Sequence, residues 1–154
     1  MRIRAALSLG VLVWVSAAKA EAPLLGILAG ELERNFAVLK AKGDPPPYFI
    51  SCAVTDVDYE VVSATRGAVQ ARSGRRTRLL DVTVRVGSPE FDNYRSVAGE
   101  TAFFASARPI PLEDEPDAIR RIVWLEIDRA YRAAAERLIR IKTRDQVAIT
   151  EQDA

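Results

Sequence analysis

Apolar positions recur along this chain first with the spacing of a helix, then of strands, then of a helix again. Between residues 24 and 41, Leu25, Leu28, Leu32, Phe36 and Leu39 return every third or fourth position, with Glu31, Glu33, Arg34 and Lys40 between them. That spacing predicts an amphipathic helix. Gly43 stands where a C-terminal cap belongs, and Pro45-Pro46-Pro47 bars any continuation. From Tyr48 the pattern becomes that of strands. Tyr48–Val54, Tyr59–Thr65, Ala68–Arg72 and Thr77–Val86 are rich in β-formers and are separated by Asp56-Val57-Asp58, Gly67 and Gly74. The last is the clearest, with Leu80, Val82, Val84 and Val86 on one face and Asp81, Thr83 and Arg85 on the other.

Gly87-Ser88-Pro89 closes that strand, and Phe91-Asp92-Asn93-Tyr94 reads as a turn with aromatic anchors. Thr101–Ala107 is a candidate further strand, bounded by Pro109 and Pro111. A second helix is predicted from Glu115 to Lys142. Asp114 or Glu115 can cap it, and Pro116 falls in the first turn, where its missing N–H is not needed. Ile119, Val123, Ile127, Tyr131, Ala134, Leu138 and Ile141 form its apolar stripe, while Asp128/Arg132 and Glu136/Arg140 are acid-first pairs four residues apart. Thr143–Ala154 reads as a polar tail. The expected fold is therefore α+β: an N-terminal helix, an antiparallel β-meander of about four to five strands, and a long C-terminal helix packed on the sheet.

Residues 1–20 have a different character. Arg2 and Arg4 precede an uncharged, mostly apolar stretch from Ala5 to Ala17, and Ala18-Lys19-Ala20 follows. A positive start, a short apolar core and an A-x-A site are the features of a secretory signal, cut here after Ala20. The apolar run, at about 13 residues, is shorter than the roughly 20 needed to span a bilayer. The expectation is an exported protein, periplasmic or secreted, with no membrane span after cleavage and a single domain over residues 21–142.

Removing that segment takes away Arg2, Arg4 and Lys19, leaving 19 basic residues (22 − 3) against 21 acidic ones. A net charge of −2 offers no basic face for nucleic acid. The chain contains no histidine. Every nucleophile arrangement that needs an imidazole base is thereby excluded, as is the commonest metal ligand. Cys52, the single cysteine, has no partner for an internal disulfide and lies in the apolar run Phe49–Val54, as a small buried hydrophobe would.

Two charged clusters stand out. Glu113-Asp114-Glu115 with Asp117 lacks the alternate spacing and the glycine of a calcium loop, and acids at a helix start complement the helix dipole without any ligand. Arg72, Arg75, Arg76 and Arg78 surround Gly74 and read as the charged tip of a hairpin, the one candidate interaction surface. Arg85, on the polar face of its strand, has Asp81 or an acid of a neighbouring strand as candidate partners. No catalytic, cofactor-binding or metal-ligating residue is assigned.

One ordered series carries more than composition. Pro46-Pro47-Tyr48-Phe49-Ile50-Ser51, Ala64–Ala68, Arg78-Leu79-Leu80-Asp81-Val82, Arg85-Val86-Gly87 and Phe91-Asp92-Asn93 follow Glu31-Leu32-Glu33-Arg34 of the first helix. Together they resemble the N-terminal region of exported TldD/PmbA-type proteins, a family of zinc-metallopeptidase type. The resemblance implies an α/β first domain that shapes a dimer around a proteolytic chamber. It also implies a zinc site in an HExxxH helix of a later domain, which has no counterpart in these residues. The expected role is a non-catalytic scaffold or substrate-access domain without cofactor. Its partners would be a homologous subunit, the metal-bearing domain or a peptide substrate. The alternative is a free-standing exported binding module.

Overall fold

The computed structural model describes residues 23–96 and 106–152, with side chains as far as Gln146; the signal segment and most of Thr101–Ala107 lie outside the described residues. Five elements follow in order: α1 (Pro23–Lys42), β1 (Pro47–Thr65), β2 (Ala68–Val86), β3 (Arg108–Ile110) and α2 (Pro116–Gln152). The strands form one antiparallel sheet in the order β1-β2-β3, and both helices lie against one face, α1 over β1 and α2 over β2. The predicted α+β architecture is present. Its sheet differs in two respects: the expected short strands of a meander are joined into two strands of 19 residues each, and the described third strand, Arg108–Ile110, runs through Pro109, expected from the sequence to close a strand.

Asp56-Val57-Asp58 and Gly74 do not interrupt the strands. Asp56 pairs with Arg78, Asp58 with Arg76 and Glu60 with Gly74 in an unbroken register. The true turn is Arg66-Gly67, where φ values of 53° and 81° give the left-handed pair that a two-residue hairpin loop requires. The arginines around Gly74 are therefore not at a tip; they lie along β2, and the tip is at Gly67.

The core occupies only the base of the hairpin. Leu80, Val82, Val84 and Val86 are buried with Ile50, against Ile27 and Leu28 of α1 and Ile119, Val123, Ile127, Ala134 and Leu138 of α2. Each such aliphatic side chain contributes about 1.5–3 kcal/mol relative to exposure. The stripe predicted for α2 is the stripe observed, with Tyr131 half-buried. On α1 the stripe is rotated: Ile27 is inside and Leu25 is 60% exposed. The same stripe buries Glu31 and Asn35, whose carboxylate and side-chain amide bond each other at 3.1 Å, with Arg34 closing on Glu31 at 2.6 Å. The polar tail is not a separate unit, since α2 runs on to Gln152. No described helix is long and apolar enough to cross a membrane.

β2 ends at Gly87, where φ is +104° and an added Cβ would lie 2.5 Å from the Phe91 carbonyl oxygen and 3.2 Å from Leu138. Gly87→Ala is expected to destabilise the protein by about 1–3 kcal/mol, read as a lower urea midpoint. An unchanged midpoint would contradict this account of the strand end.

Candidate functional site

At the base of the hairpin a compact polar knot joins three of the segments that carried the sequence resemblance, those of Tyr48, Arg85 and Asp92-Asn93. Asp92 is buried and accepts hydrogen bonds from the Tyr48 hydroxyl at 2.6 Å, Arg85 at 2.9 Å and the Tyr94 backbone N–H at 2.8 Å. The Arg85 guanidinium also lies 4.3 Å from the centre of the Tyr94 ring. Beside it, the fully buried Asn93 takes the place of a neighbouring strand. Its Oδ1 accepts the Val86 N–H at 2.9 Å and its Nδ2 donates to the Val84 carbonyl at 3.1 Å. Arg137 of α2 then donates to the Asn93 carbonyl at 2.9 Å. Arg85 thus pairs with Asp92 rather than with Asp81, whose carboxylate accepts the Ala107 N–H.

A second pin sits where the hairpin leaves the helix layer. Arg78 is 8% exposed and donates to Asp56 at 2.7 Å, to Asp114 at 2.6 Å and to the Pro111 carbonyl at 3.3 Å. It ties both strands to the segment that leads into α2. Asp114 is thus the far end of this pin. Among the described residues no group of three or more metal-ligating side chains is gathered.

Beyond Arg78 the hairpin continues as a two-stranded ribbon, exposed on both faces from Thr55 to Arg76. Register places Asp56, Asp58 and Glu60 on the same face as Val54, opposite Arg78, Arg76 and Gly74. Arg76 reaches diagonally to Asp56 at 3.1 Å, and Arg72 pairs with Glu60. Val57, Tyr59 and Val61 occupy the other face, 37%, 47% and 53% exposed, and Arg75 stands across from Tyr59. The four arginines marked by the sequence are therefore not one cluster. Arg78 is an internal pin, Arg72 and Arg76 are neutralised by β1, and Arg75 faces the opposite side. The acids of β1 were the missed partners; their alternate spacing at 56, 58 and 60 was the available signal.

The outer edge of β1 has no neighbouring strand among the described residues. Along its base half, a cavity of about 330 Å³ opens between β1 and α1, lined by Ala29, Leu32, Glu33, Phe36 and Tyr48–Ile50. Consecutive β1 residues with opposite side-chain directions share this lining, which places the groove along the strand's rim. Cys52, two residues on, packs partly against the core, and burial pushes its thiol up to about 11. It is protonated at neutral pH and unsuited to nucleophilic work.

No family model matches the chain, and comparisons with curated proteins and with solved structures return no match.

Two carboxylates give the knot and the pin a pH signature. Burial pushes Asp92 up, but its bonds from Tyr48, Tyr94 and Arg85 outweigh that and hold it below the usual carboxylate range. Asp56 is lowered chiefly by its hydrogen bond from Arg78. Depressed carboxylates stabilise the fold above their unfolded value of about 3.9, and that stability is lost as pH falls through the folded values. Urea titrations between neutral and strongly acidic pH should show a stability loss setting in below about pH 4, with a shallower slope in Asp92→Asn. An identical slope in the variant would contradict the role given to Asp92.

Proposed function

We propose that this chain is a non-catalytic scaffold domain of an exported TldD/PmbA-like protein, engaging a partner polypeptide through its hairpin. The observation behind this reading is the position of the residues that carry the resemblance. Tyr48, Arg85, Gly87, Asp92 and Asn93 engage one another or the backbone that closes the sheet, and Arg78 ties Asp56 to Asp114. They serve architecture, as a first domain of that family would require, and none is disposed as a nucleophile with its base. The ribbon beyond them supports the same reading, because two strands exposed on both faces are marginal in water without a partner. Partners of this kind are a homologous subunit or the family's metal-bearing domain, with a peptide substrate passing between them.

A second reading, a free-standing exported binding module, is favoured by the groove beside the open β1 edge. The coding sequence after codon 154 separates the two. An HExxxH helix encoded there supports the scaffold; a stop codon with unrelated neighbouring genes supports the module. Either way the purified chain should hydrolyse no peptide with or without added zinc. Zinc-dependent turnover at one bound metal per chain would contradict both.

A further inference from the structure

We propose that the outer edge of β1 receives an extended polypeptide strand carrying an apolar side chain and a lysine or arginine eight residues apart. This rests on the reading of the hairpin edge as an interaction surface, and adds the chemistry of what it takes. A free strand edge offers backbone donors and acceptors to any extended chain, and the side chains along it decide which chain is preferred. At the base of β1 the determinant is apolar: the groove beside Tyr48–Ile50 is walled by Leu32 and Phe36. Farther out it is acidic. Asp58 forms no ion pair among the described residues, because Arg76 directly across is drawn to Asp56. Glu33, on the groove wall, likewise has no ion-pair partner among the described residues.

Ile50 and Asp58 are eight residues apart on the same face of β1, a separation of about 26 Å at ~3.3 Å per residue. A paired strand keeps that spacing, so its apolar anchor and its cation are eight positions apart and point to one side. The occupant is a different sequence rather than the same edge of a second copy. β1 carries no lysine or arginine from Pro47 to Thr65, so the same edge of a second copy offers no cation to Asp58.

The test uses the purified chain and fluorescent synthetic peptides of about twelve residues, long enough for the eight-residue spacing. Each carries leucine and arginine at that spacing in a threonine-serine background, made in both chain directions. One peptide should bind about two- to fivefold more tightly than its arginine-to-glutamate counterpart, the range for a cross-strand charge pair. Asp58→Lys should reverse that preference. Ala29→Trp, on the exposed side of α1, should fill the groove and remove the contribution of the leucine while leaving the charge preference. Affinity indifferent to peptide charge and to Asp58→Lys would overturn the assigned chemistry while leaving the edge a general strand acceptor. No binding of any peptide at millimolar concentration would overturn the proposal and the module reading together. The scaffold reading is decided separately by the downstream coding sequence.

Discussion

The hairpin is longer than the helices can cover, and most of the molecule follows from that. Burial alternates along β2 only from Arg78 to Val86, and along β1 it fades after Val54. Over this stretch the sheet has one dry face, where Leu80, Ile119, Ile127 and Leu138 are fully buried. Past it, the same two strands lose their hydrophobic support. Their pairing then depends on backbone hydrogen bonds and cross-strand side chains, each pair contributing about 0.2–1 kcal/mol. Exposed ion pairs such as Arg72–Glu60 belong at the low end of that range.

Buried polar groups mark the boundaries of the covered region. Arg78 stands at its outer limit and converts the last core-facing position of β2 into an anchor to Asp114 and Pro111. Asp92 and Asn93 stand at its inner limit, where the chain leaves the sheet and must still satisfy the backbone of β2. Removing one partner from such a network strands a desolvated charge or amide, which is why both ends are geometrically fixed. The groove beside the open β1 edge lies between these two sites, its walls Leu32, Phe36 and Ile50 packed on the core.

The helices were legible because their apolar period is continuous; the α2 stripe from Ile119 to Ile141 could be read directly. The hairpin was less legible. Aspartate and glycine are poor strand formers, so Asp56-Val57-Asp58 and Gly74 read as breaks. In a ribbon wet on both faces, an aspartate opposite an arginine is well placed, and Gly74 has no core to fill. Local propensity was overridden by cross-strand pairing, which a single segment does not display. Phe91–Tyr94 is legible as a turn, yet the partner of the buried Asp92 is Tyr48, 44 residues earlier, and those of Asn93 are the backbone of Val84 and Val86 and Arg137 of the far helix. Of the stripe expected on α1 only Leu25 lies outside, because Ile27 and Leu28 fill the inward face at that end of the helix.

Amide hydrogen exchange on the isolated chain tests this picture most directly. Amides that bond the facing strand within Ile50–Val54 and Leu80–Val86 should exchange at rates set by global unfolding, and the paired amides within Thr55–Thr77 at least about tenfold faster through local opening of the ribbon. Equal protection along the whole of both strands would mean that the outer ribbon has support of its own. That result would contradict the claim that it stands open for a partner.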